Sequence, residues 1–113
     1  MADLLKQRCL PCEGGVKPLS ETEAQKLLAQ VQDWQLNKNA AEIQRNFKFK
    51  NFYETMAFVN AVAWIANQEN HHPDLEVGYN YCRLKYSTHA IKGLSENDFI
   101  CAAKVNALLE AQA

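Results

Sequence analysis

The 113-residue chain lacks an excess of charge of either sign: 12 Lys and Arg against 13 Asp and Glu leave a formal net charge of -1. Bulk electrostatics therefore offers no reason for it to bind nucleic acid or an anionic membrane. It also lacks a long apolar run, and its hydrophobic stretches fall well short of the ~20 residues that span a bilayer. Met1 to Leu10 has no apolar segment of signal-peptide type and carries Asp3, Lys6 and Arg8, so a cytoplasmic location is expected. Of the four cysteines, Cys9, Cys12, Cys82 and Cys101, the first two form a C-x-x-C. No second C-x-x-C follows to complete a zinc site, and no βαβ unit surrounds this one in the manner of a redox domain. In a reducing compartment all four are expected as thiols. Gly14-Gly15 and Pro18 break any helix near the motif, so residues 1–19 read as an extended or loosely ordered N-terminal arm. No linker or low-complexity segment divides the rest, and residues 20–113 read as one domain. At 48% hydrophobic and 22% charged residues, the chain can bury a core without help from disulfides or metal.

The local signals then order the elements. Ser20-Glu21-Thr22-Glu23 is a capping box: the Ser20 hydroxyl can accept from the Glu23 N–H, and the Glu23 carboxylate can reach back to the Ser20 N–H. It opens a first helix, with Leu27, Leu28 and Val31 as its apolar stripe, expected to end near Asp33. Trp34 and Leu36 suggest a short strand, and Asn37-Lys38-Asn39 a turn. Ile43, Arg45, Phe47 and Phe49 then alternate with Gln44, Asn46, Lys48 and Lys50, the pattern of an antiparallel strand with one wet face. Asn51 can cap a second helix running to about Glu69, with Phe52, Met56, Val59, Ala63 and Ala66 at helical spacing. Phe58, Trp64 and Ile65 widen that stripe. Pro73 stops the helix and biases His72 away from helical angles. Two strands follow, near Leu75 to Val77 and from Tyr81 to Thr88. After a loop over 89–94, a second capping box, Ser95-Glu96-Asn97-Asp98, opens the last helix. The order α-β-β-α-β-β-α never alternates as a parallel fold would, so the expected class is α+β, an antiparallel sheet with its helices on one face. Trp34, Phe47, Phe49 and Trp64 are expected in the core. Lys48, Lys50, Arg83 and Lys85 are expected on a solvated sheet face.

All three histidines of the chain, His71, His72 and His89, fall at a helix end or a strand-to-loop junction, where functional groups concentrate. An imidazole with a pKa near 6.5 can give or take a proton at neutral pH. Acid-base catalysis, a three-histidine metal site and a chance surface grouping are all open to such a cluster. Adjacent histidines diverge in extended chain, which makes shared ligation by His71 and His72 awkward. No Ser or Cys can be tied to a base, so nucleophilic catalysis has little support. Asp98, in the first turn of the last helix, has capping and dipole stabilisation as its default role.

The run Asn70-His71-His72-Pro73, then Ser87-Thr88-His89, then Gly93-Leu94-Ser95 with Asp98, resembles the pterin-4a-carbinolamine dehydratase family, from about Ser20 to Leu109. The resemblance implies a four-stranded antiparallel sheet with three helices on one side, assembled as a homodimer or homotetramer. It implies dehydration of a 4a-hydroxytetrahydropterin to the quinonoid dihydropterin, which recycles the cofactor of aromatic amino acid hydroxylases without metal or organic cofactor. An aromatic amino acid hydroxylase is the partner that the resemblance implies. By position, His71 and His89 match the residues proposed as acid and base. His72 matches a substrate-positioning histidine able to share that role, and Asp98 an aspartate that orients a histidine. Asn70, Pro73, Ser87, Thr88 and Ala90 complete the expected pterin pocket. Some relatives place a glutamate four residues before the first histidine, where this chain has Asn67; Glu69 is displaced, and the role is not transferred to it. Animal relatives also bind a homeodomain transcription factor, so a dehydratase-like interaction module or coactivator is the alternative.

Overall fold

The computed structural model describes residues 4–10 and 17–110. Three helices, α1 (Glu21–Leu28), α2 (Phe52–Glu69) and α3 (Glu96–Glu110), accompany four strands, β1 (Gln35–Leu36), β2 (Ile43–Lys48), β3 (Asp74–Val77) and β4 (Tyr81–Tyr86). All pairings are antiparallel, in the spatial order β1-β2-β4-β3. The class is thus the expected α+β. Register explains its core: Ile43 opposes Tyr86, Arg45 opposes Leu84 and Phe47 opposes Cys82, so these side chains share one face. Ile43, Cys82, Leu84 and Tyr86 on that face are 0% exposed and pack with Val62, Phe99 and Val105 of the helices. Each large apolar side chain so buried contributes about 1.5–3 kcal/mol. Arg45 shares the face but reaches the rim, where it donates to Asn106 Oδ1 at 2.6 Å and lies 4.4 Å from the Phe47 ring centre. The opposite face carries Gln44, Asn46, Arg83 and Lys85.

Two of the three expected caps form as read. Ser20 and Glu23 make the reciprocal capping box at α1, and Asn51 Oδ1 accepts from the Glu54 N–H at α2. At α3 the box is altered: the Ser95 N–H reaches Asp98 Oδ2 at 3.0 Å, while the Ser95 hydroxyl takes the Asn97 N–H instead of that of Asp98.

Several expectations need correction. The first helix ends at Leu28, not near Asp33; single-turn hydrogen bonds carry the chain past it, and Asp33 is left-handed with φ 68°. The inner face of α2 is Thr55, Phe58, Val62, Ile65 and Glu69. Phe52 and Ala63 face outward, and Trp64, expected in the core, is 64% exposed. β4 stops at Tyr86, and the loop after it contains a 3₁₀ turn, His89–Ile91, closed by a Thr88–Gly93 bridge. The described part of the arm is not loosely ordered. Leu4–Lys6 form a 3₁₀ turn, Leu4 is buried in the core, and the Lys104 ammonium donates to the Leu5 carbonyl. Cys12 and Gly14-Gly15 lie outside the described residues. Among the described residues no helix is long and apolar enough to cross a membrane.

Candidate active site

The end of α2 sets the geometry. Asn70 caps the helix in the left-handed conformation, φ 52° and ψ 43°, which asparagine tolerates better than most residues. The N–H groups of Asn70 and His71 both return to the Ala66 carbonyl, so the chain reverses within two residues. Pro73 prevents the helix from resuming. His71 is thereby folded inward, and its side chain is 12% exposed. His72 points out to solvent.

Inside, His71 Nε2 lies 2.6 Å from Asp98 Oδ1. Asp98 is 0% exposed. Its other oxygen accepts from the Thr88 hydroxyl at 2.9 Å and from the Ser95 N–H. Thr88 has one proton, given to Asp98, so the Ser95 hydroxyl at 2.8 Å must donate to Thr88. A directed chain results: Asn97 N–H to Ser95, Ser95 to Thr88, Thr88 to Asp98. A carboxylate only accepts, so it requires the proton of neutral His71 to be on Nε2 and leaves Nδ1 as the acceptor nitrogen. The imidazole also stacks on Tyr86, with ring centres 5.9 Å apart and planes 9° apart.

These groups border an open cleft of about 450 Å³, a size suited to one small molecule. His71, His72, His89, Asn70, Ser87, Thr88 and Ala90 all line it. The His72 and His89 rings are 6.3 Å apart on its exposed side. Two residues stand apart from the expected set. Pro73 is buried and does not line the cleft, and Asp98 lies behind His71. Asp98 is therefore a positioning residue that can act only through its partners. Among the described residues, no three of His, Cys, Asp and Glu converge closely enough to hold a metal ion.

Sequence reasoning missed Cys9, Leu10, Gln68, Glu69 and Asn97, which also line the cleft. Glu69 organises this wall. Its carboxylate accepts the Cys9 N–H at 2.8 Å and pairs with Arg8 at 3.1 Å and with Lys104 at 3.7 Å. Burial pushes this carboxyl up, but the Cys9 N–H and the charges of Lys104 and Arg8 outweigh it and hold it below the ordinary range. Asn97 clasps the next residue: Leu10 N–H donates to its Oδ1 at 3.0 Å, and its amide donates to the Leu10 carbonyl at 2.6 Å. One local signal was present. An acid in the last turn of a helix opposes the helix dipole, so Glu69 needed basic partners from elsewhere.

The family model for pterin 4 alpha carbinolamine dehydratase matches residues 17–108. The chain belongs to this family. A relative from Nitrosomonas eutropha, provisionally named pterin-4-alpha-carbinolamine dehydratase, is 64% identical over 110 residues, covering 96% of each chain. One from Legionella pneumophila strain Corby, of the same provisional name, is 57% identical over 109 residues and 96% of each. Among solved structures, a transcriptional coactivator/pterin dehydratase from Brucella melitensis aligns with a TM-score of 0.78 at 33% identity, covering 81% of this chain and 98% of its own. A pterin dehydratase-like protein described as a RuBisCO assembly factor in the alpha-carboxysome aligns at 0.59 and 23% identity, over 67% and 88%. That last likeness concerns the fold alone. The cleft draws on residues outside the family match: Cys9 and Leu10 precede residue 17.

Proposed function

We propose that the cleft dehydrates a 4a-hydroxytetrahydropterin to the quinonoid dihydropterin by histidine acid-base catalysis. The observation that carries this reading is the His71–Asp98 pair, in a cleft also lined by His72 and His89. The reaction needs two proton transfers. The C4a hydroxyl leaves as water only when protonated, and a ring nitrogen loses a proton as the C=N bond forms. His71, with Nε2–H committed to Asp98, offers Nδ1 as the base, and the carboxylate stabilises the imidazolium that results. His89 supplies the proton to the departing hydroxyl, and His72 beside it holds the pterin. No metal or organic cofactor enters the scheme. The product would feed the cofactor pool of an aromatic amino acid hydroxylase in the cytoplasm. β3 is a sheet edge whose Leu75 and Val77 are 43% and 41% exposed, which suits assembly into a homodimer or homotetramer.

Stopped-flow absorbance with synthetic 4a-hydroxytetrahydropterin tests the activity. Turnover above the spontaneous rate at micromolar protein is expected, with most of it lost in His89→Ala. A folded protein with no such acceleration sinks the enzyme reading. It would favour the second reading, an interaction module, which the description of the Brucella neighbour as a transcriptional coactivator/pterin dehydratase supports.

A further inference from the structure

Two thiols from opposite ends of the chain meet beside the cleft. Cys9 Sγ lies 3.6 Å from Cys101 Sγ, 92 residues away. Neither thiol takes part in the proposed dehydration. The contact is built in by its surroundings. The Cys9 N–H is bound to Glu69, its thiol lies 3.6 Å from the Asn97 carbonyl, and Leu10 is clasped by Asn97. Cys101 is fixed within α3 and 0% exposed. The two differ in access: Cys9 is half-buried and lines the open cleft, whereas Cys101 is sealed beneath it. Cys82, on the strand face of the core, is 0% exposed, and burial pushes its thiol up to about 11. It behaves as a small apolar side chain.

A disulfide requires sulfurs about 2.05 Å apart, so closure asks for an approach of about 1.5 Å. Rotation of the half-buried Cys9 side chain, at the edge of the core, with a small shift of its backbone can supply that. We propose that Cys9 and Cys101 form a hydroperoxide-oxidisable dithiol, a covalent modification site in the wall of the cleft. The oxidant is hydrogen peroxide or a small organic hydroperoxide. Cys9 is the thiol that meets it: the O–O bond breaks, one oxygen passes to the Cys9 sulfur as sulfenic acid, and with hydrogen peroxide the other leaves as water. The Cys101 sulfur then attacks the Cys9 sulfur, the S–O bond breaks, and the hydroxide departs with the Cys101 proton as a second water. Two thiols lose two electrons to the peroxide, and one disulfide joins the N-terminal segment to α3. The Cys9 contact and burial push the Cys101 thiol well up, so the cleft-lining Cys9, and not Cys101, is the sulfur that first meets the oxidant.

The full chain, reduced and then exposed to excess hydrogen peroxide, is denatured, alkylated without reduction, digested and mapped by mass. Alkylatable thiols are expected to fall from four to two, with a peptide bearing Cys9 linked to the one bearing Cys101. Dithiothreitol should restore all four. Trypsin leaves Cys9 and Cys12 on one peptide, so variants assign the bridge: the link to Cys101 survives in Cys12→Ser and is absent in Cys9→Ser. Cys9 is not among the fully buried side chains, so its variant should fold. A Cys9–Cys12 bridge, a link persisting in Cys9→Ser, or overoxidation of Cys9 with Cys101 still free each overturns the proposal. None of these readouts depends on pterin turnover.

Discussion

Replacing Asp98 with Asn tests the core of the proposed mechanism with almost no change in shape. Two donors, the Thr88 hydroxyl and the Ser95 N–H, converge on Asp98 Oδ2. A backbone N–H cannot accept, so the amide oxygen of the variant must take that side. Its NH2 group then faces His71 Nε2, 2.6 Å away in the parent. The imidazole has to switch tautomer, with Nε2 accepting and the proton on Nδ1. His71 thereby loses its acceptor nitrogen toward substrate, and the imidazolium loses its counter-charge. General acid-base catalysis by a positioned side chain is worth about 10²–10⁴-fold. With His89 intact, we expect kcat to fall by about 10²–10³-fold, or ~3–4 kcal/mol in barrier, with KM changing much less. Stopped-flow turnover of the 4a-hydroxytetrahydropterin reads the rate, and circular dichroism with a thermal melt confirms the fold. A folded Asp98→Asn protein with kcat within about threefold of the parent would refute the assignment of His71 as a base oriented by Asp98.

Two further outcomes follow from the packing. Glu69→Gln keeps an oxygen for the Cys9 N–H but loses the charges facing Arg8 and Lys104, and should cost about 1–2 kcal/mol at neutral pH. Because the folded-state carboxyl titrates below its ordinary 4.5, that stabilisation is full above this value and is lost as pH falls through the lowered one. Melting curves of parent and variant should therefore converge in acid, and a constant gap down to about pH 2 would contradict the ion-pair account. On α2, Phe58→Ala should lower the unfolding free energy by about 3–4 kcal/mol in chemical denaturation, whereas exposed Asn67→Ala should stay within about 0.5 kcal/mol. Comparable losses from both would mean that the assigned inner face is wrong.

How much was legible depended on how local each cause is. The α1 capping box and the Asn51 cap lie within four residues of the groups they satisfy, and both form as read. The alternation through Ile43–Phe47 and Cys82–Tyr86 needs only the two-residue period of a strand, and the two runs meet in register. The inward face of α2 was not legible, because its apolar residues run nearly all round the helix. Thr55 and Glu69, both polar, join the buried face because distant groups satisfy them: the Tyr79 carbonyl accepts from Thr55, and Cys9, Arg8 and Lys104 surround Glu69. Trp64 lies outside because the sheet and α3 take up the other side.

The sequence by itself determined the class of fold, the element order and the positions of His71, His72 and His89 at chain reversals, since periodicity, caps and Pro73 act within a few residues. Only the tertiary structure decided what those histidines face. Asp98 reads locally as a helix-terminal cap, and it is one. Its second oxygen meets His71 across 27 residues only because α3 packs against the end of α2. Likewise, an N-terminal segment that reads as a loose arm becomes a wall of the cleft, because Glu69 is a buried carboxylate that must find donors and charge. Such long-range partnerships arise from burial and charge compensation, which no local pattern along the chain encodes.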